Sequence, residues 1–143
     1  MCDGGEMSDL QRFVDAQDRV YDSVLDELRA ARKRSHWMWF VFPQIRGLGN
    51  SPTAQQYAIA DLEEARAYLD HPVLGPRLRE CVALVNEIHG RSAEQIFGWP
   101  DDLKLRSSVT LFANATDDNH DFLALLDKYY GGEPDPLTVE RLG

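Results

Sequence analysis

At 143 residues, 43% of them hydrophobic, the chain amounts to one domain able to bury roughly 70% of its unfolded surface, so no disulfide or metal is needed to hold it together. Its net charge is −9, with eight acids against Arg12 and Arg19 in residues 1 to 27 and seven against Lys128 and Arg141 in residues 117 to 143. That balance argues against nucleic acid, whose affinity comes from neutralising many phosphates. No run of about 18 apolar residues occurs, so no membrane partner is expected. Cys2 and Cys81 make no disulfide framework, and the acidic, glycine-rich start MCDGGEMSD is unlike a signal peptide. The expectation is a soluble cytoplasmic protein, monomeric or weakly oligomeric.

In chain order, residues 1–7 read as a flexible tail. Ser8-x-x-Gln11 reads as a capping box. Phe13, Val20, Tyr21, Val24 and Leu28 follow at helical spacing, predicting one first helix with acids early and Arg29, Arg32, Lys33 and Arg34 at its end, as the macrodipole prefers. Asn50-Ser51-Pro52 starts a second helix, with Pro52 at its first position and the small-residue stripe Ala54, Ala58, Leu62, Ala65 and Leu69 along it. His71-Pro72 breaks it, and Gly75-Pro76 opens a third through Leu78, Val82, Val85 and Ile88, stopped at Gly90. Ser92-x-x-Gln95 caps a short turn ending at Gly98. Pro100-Asp101-Asp102 opens a helix with Leu105, Val109 and Phe112, and Asp117 or Asp118 opens another with Phe122, Leu126 and Tyr129, closed by Gly131-Gly132. Asp135-Pro136 begins a last turn. Only WMWFVF at 37–42 competes as a strand, since a short apolar run has no telling period. The predicted fold is all-α: residues 1–143 as a single compact multi-helical bundle of about six or seven helices.

The stretch from Arg29 to Gln56 concentrates the candidate chemistry. Four cations without an acid pass into Trp37, Trp39, Phe40 and Phe42, and between Arg34 and Asp61 the one formal charge is Arg46. Such a segment is either a core keystone or a pocket wall. Arg34 or Arg46 can grip a phosphate or carboxylate through a bidentate fork. Trp37 and Trp39, one residue apart, cannot share a helix face, so one of them can line a cleft and stack on a ring. His36 is the candidate acid or base near neutral pH. Gly47-Leu48-Gly49-Asn50-Ser51-Pro52 feeds a helix start but lacks the lysine and spacing of a phosphate-binding loop.

Trp99 to Ser108 is the second dense patch. On a helix Asp102 and Arg106 stand at i, i+4 and Asp101 and Lys104 at i, i+3, which accounts for the charges as local pairs. Alternatively Lys104, Arg106 and Ser107 face the same pocket as His36, with Asp101 or Asp102 orienting the imidazole. His71, His89 and His120 are scattered, so neither a metal site nor a cofactor is predicted.

The blocks SHWMWFVFPQIRGLGNSPTAQQYAI, AYLDHPVLGPRLREC and GRSAEQIFGWPDDLKLRSSVTLFA resemble, from about Leu10 to Tyr130, the family catalogued as domain of unknown function 1810. That resemblance implies a compact multi-helical intracellular domain and no particular activity. A fainter likeness, in the order of aromatic block, Gln55-Gln56-Tyr57 helix and Lys-Leu-Arg helix, is to helical NAD- and ADP-ribose-associated domains, and implies a nucleotide or ribose ligand. Two functions are therefore weighed. The first is a binding protein or enzyme for a small anionic, nucleotide-like molecule, with Trp37, Trp39, Gln44, Tyr57, Lys104 and Arg106 lining the pocket. The second is a non-enzymatic interaction module whose aromatic block is core. A cleft uniting residues 34–46 with 99–107 separates them.

Overall fold

A computed structural model describes residues 9–143; the expected tail and Ser8 of the first capping box lie outside the described residues. These fold into ten helices with no strand among them; the one extended contact is an isolated parallel bridge between Ile45 and Ile59. The all-α expectation holds, but the count of six or seven does not. Segments expected to form one helix or none give several short ones.

The expected first helix is two, α1 (Gln11–Asp18) and α2 (Tyr21–Arg29), separated where Val20 leaves helical geometry at φ −134°. Each half buries its own apolar stripe, Phe13 and Val14 from α1 and Val24 and Leu28 from α2. The break is braced by Arg77, which reaches Asp18 at 2.8 Å and stacks over Tyr21. Only Arg29 lies in the last turn of α2, so Arg32, Lys33 and Arg34 are not helix-end charges. The helix stops at Ala31, a non-glycine residue at φ 57°. There Ala31 N–H bonds Leu28 O (3.0 Å) and Arg32 N–H bonds Glu27 O (2.9 Å), the paired terminal bonds of a Schellman ending.

The ambiguous aromatic run forms the single turn α3 (Met38–Val41), with Met38 and Val41 buried. Next come α4 (Pro52–Gln56), capped by Ser51, and α5 (Leu62–Asp70), capped by Asp61. The small stripe therefore spans two helices, parted by the extended segment carrying Ile59. Helix α6 (Leu74–Glu87) begins against the end of α5, and Gly75 makes that approach possible: a Cβ there would lie 3.0 Å from the Leu69 carbonyl carbon and deep inside its oxygen. Helix α7 (Ala93–Phe97) carries the full Ser92/Gln95 capping box.

Helix α8 (Asp101–Ala113) is the centre of the fold, touching α3, α5, α7, α9 (His120–Tyr130) and α10 (Pro136–Leu142). Every residue from Ser107 to Ala113 is buried, as expected of a helix surrounded by others. Two of its buried hydroxyls reach back to their own helix, Ser107 Oγ to Leu103 O at 3.2 Å and Thr110 Oγ1 to Arg106 O at 2.8 Å, while Ser108 Oγ has no partner among the described residues. An aromatic chain, Phe13–Tyr68–Phe112–Phe122, runs through the core, and Trp37, Phe42 and Phe97 form a second cluster beside it. Each such ring removed from water contributes on the order of 2–3 kcal/mol.

Candidate functional site

The two tryptophans of the aromatic block part company. Trp37 is fully buried, and its indole N–H donates to Glu27 Oε1 at 3.0 Å. Glu27 also accepts from the backbone amides of Arg34 (2.7 Å) and Ser35 (3.0 Å) and from the Ser35 hydroxyl. Burial opposes charge on this carboxyl, yet the Ser35 hydroxyl, the two amides and the indole outweigh it and hold it down at about 2. One α2 side chain thus pins the whole turn entering α3.

Trp39, two residues on, is half-buried with Lys104 Nζ 4.8 Å from its ring centre. It forms one wall of a groove of about 450 Å³. From the first dense segment the groove takes Trp39 and Gln44, with Asn50 and Ser51 beyond them. From the second it takes Lys104, Arg106 and Ser107, and α10 closes it with Asp135 and Leu137. Residues 34–46 and 99–107 therefore do meet, through α3 and α8.

The remaining candidates lie elsewhere. Arg34 and His36 are exposed and outside the groove lining. Tyr57 packs with Phe13 and Phe40, its ring 5.3 Å from that of Phe40. Arg46 faces a different depression. Asp101 is held by Lys33 Nζ at 2.8 Å and Lys104 Nζ at 3.5 Å, an arrangement that leaves it bound to lysines rather than to His36. Asp102 has one carboxylate oxygen buried without a partner, and its backbone carbonyl accepts from the Tyr130 hydroxyl at 2.5 Å. The expected Asp102–Arg106 pair is absent among the described ion pairs. Arg106 instead turns to the α9–α10 connection, donating to Glu133 O (3.0 Å) and Pro134 O (3.1 Å) and pairing with the Glu133 carboxylate at 3.8 Å.

Ser107 Oγ lies 2.9 Å from Asp135 Oδ2 and 3.2 Å from Leu103 O. The same Asp135 oxygen accepts from Thr138 N–H (3.2 Å) and the Thr138 hydroxyl (2.5 Å), capping α10. Asp135 thus enters the groove with its negative charge already engaged by three donors. By contrast, the Trp39 indole N–H and the side-chain amides of Gln44 and Asn50 take part in no hydrogen bond among the described residues. Asp135 and Leu137 are not legible as groove residues from the sequence because α10 joins the groove only through tertiary packing. The Asp135-Pro136 start was visible, but what its carboxylate would reach was not. Among the described residues no group of three or more His, Cys, Asp or Glu side chains is placed to hold a metal, and no helix is long and apolar enough to cross a membrane.

A profile of the family described as "Protein of unknown function (DUF1810)" matches residues 7–142. The chain belongs to that family. Among solved structures, this DUF1810 chain is similar to the conserved hypothetical protein Rv1873 from Mycobacterium tuberculosis, with 68% identity over 94% of this chain and 96% of that one and a TM-score of 0.93. No curated protein matches it.

Proposed function

We propose that the Trp39 groove binds a small anionic molecule carrying a flat ring, such as a nucleotide or another ribosylated compound, and that the protein's role is binding. The observation carrying this reading is a partly open indole face, backed by a cation and ringed by amide donors with no partner of their own. Stacking on Trp39 would position the ring, while Lys104 and the Gln44 and Asn50 amides would meet the anionic or carbonyl end. The groove volume is within the range of small-molecule sites. Binding is favoured over catalysis because Ser107 is spent on Asp135 and no histidine side chain lines the groove.

The test is a thermal-shift panel of nucleotides, NAD, ADP-ribose, sugar phosphates and simple anions. A ligand at about a hundred times its dissociation constant adds roughly 2.7 kcal/mol, or about 9 °C for a chain this long. The expected hit is lost in Lys104→Gln and Gln44→Ala, both half-buried positions whose substitution leaves the core intact. A flat panel, or a hit indifferent to both substitutions, refutes the reading. It would favour instead an interaction module, for which the exposed apolar side chains of Trp99 (72% exposed), Leu103 (49%) and Leu137 (61%) are the specific support.

A further inference from the structure

A second cluster, separate from the groove, follows from accounting for every cation. Arg12, Arg29, Lys33, Arg77, Arg79, Lys104 and Arg106 each lie within 4.0 Å of a carboxylate. Arg91 and Lys128 spend their donors on backbone carbonyls, of Ala31 and Gln95 and of Asn86 and Ile88. Among the described residues, Arg19, Arg32, Arg34, Arg46, Arg66 and Arg141 pair with no carboxylate and, apart from one long 3.5 Å contact from Arg141 to Gly47 O, make no side-chain hydrogen bond. Three of these six line one depression of about 560 Å³. They come from far apart in the chain: Arg46 from the turn after α3, Arg66 from α5 and Arg141 from α10.

We propose that Arg46, Arg66 and Arg141 form a binding site for the phosphoryl group of a soluble phosphorylated small molecule. Three exposed arginines on the wall of one depression concentrate positive charge there, in a chain of net charge −9 with no shortage of carboxylates to pair with instead. The two acids on the same wall do not take that role. Asp61 accepts from the Glu64 amide at 2.9 Å as the cap of α5, and Glu63 is exposed with no cation within 4.0 Å among the described ion pairs. Arg141 is held over the backbone of Gly47, where a Cβ would collide with its guanidinium, so its charge is positioned rather than swinging freely. Three planar forks arriving from three elements match the several oxygens of a phosphoryl group better than the two of a lone carboxylate. The volume leaves room for the group that carries the phosphate.

Isothermal titration of the full chain with inorganic pyrophosphate at low salt tests this. Saturable binding at one site is expected. Arg66→Gln and Arg141→Gln should each weaken it by about tenfold, roughly the loss of one charge-assisted fork. Arg66→Lys, which keeps the charge and loses the fork, should weaken it less, and Gln44→Ala in the Trp39 groove should leave it unchanged. Glu63→Gln, by removing the repulsive carboxylate, should tighten it, a gain that a damaged fold cannot mimic. Absence of saturable binding, or equal binding by wild type and both glutamine variants, overturns the proposal. So does binding confined to phosphatidylcholine vesicles doped with phosphatidic acid, which would make the phosphate a headgroup rather than a soluble ligand.

Discussion

Replacing Glu27 by glutamine tests how the turn leading to the groove is held. The glutamine keeps an acceptor of the same size at Oε1 but removes the charge that Ser35, the Arg34 and Ser35 amides and Trp37 satisfy together. The folded carboxyl sits at about 2 against an ordinary glutamate value of 4.5, and at 1.36 kcal/mol per unit that difference corresponds to about 3.4 kcal/mol. Because the side chain is half open to water, screening cuts this to about 1–2 kcal/mol, or about 3–7 °C in melting temperature for a chain of this size. The folded value is depressed, so the contribution is fully present above pH 4.5 and disappears as pH falls toward 2. The difference in unfolding free energy between wild type and Glu27→Gln, from urea titrations at steps between pH 7 and 3, should therefore shrink by more than half by pH 3. A difference independent of pH would show that glutamine disturbs packing around Trp37 instead, and would sink the charge argument.

Three other substitutions have defined outcomes. Gly75→Ala should cost about 1–3 kcal/mol, outweighing alanine's better helix propensity, because the new methyl meets the Leu69 carbonyl; an unchanged or higher denaturant midpoint would contradict the close approach. Ala31→Gly should do the reverse, raising stability by about 0.5–1 kcal/mol in the same titration, since it relieves a left-handed alanine while adding some unfolded-state entropy. Cys81 is buried, and desolvation pushes its thiol up to about 12 despite the Tyr21 hydroxyl. In a Cys2→Ser background it should not react with an aromatic disulfide at pH 8 until urea unfolds the chain; fast native labelling would disprove its burial. Since its folded value lies above the unfolded 9.0, keeping this thiol neutral also makes the fold lose stability as pH rises from 9 toward 12.

What was legible in the sequence were features encoded by one residue and its near neighbours. Ser51-Pro52, the Ser92/Gln95 box and the left-handed Gly131 sit at the helix boundaries where their chemistry places them. The break between α1 and α2 carries no proline or glycine, so nothing local announces it. It arises because two stripes must face the core from different directions, with Gln17 buried and donating to Phe40 O and Tyr68 Oη. The same limit governs the site. Alternation said that Trp37 and Trp39 must separate, but only packing decides which goes inward. Helical spacing gave Arg106 the partner Asp102, and the chain supplied a better one 27 residues away, in Glu133. Arg46 was singled out alone, and its company with Arg66 and Arg141 was beyond reach for the same reason, since no local pattern joins three positions so far apart.

The three indoles end up in three distinct settings: Trp37 sealed and bonded to a carboxylate, Trp39 half-buried beneath an ammonium group, and Trp99 72% exposed. The chain thereby carries its own optical reporters, one for the core, one for the groove and one for bulk solvent. Acrylamide should quench Trp99 first and Trp37 last. With Trp99→Phe removing the solvent-exposed emission, the signal still open to a quencher comes from Trp39, and a molecule settling into the groove would be read as light without any added label.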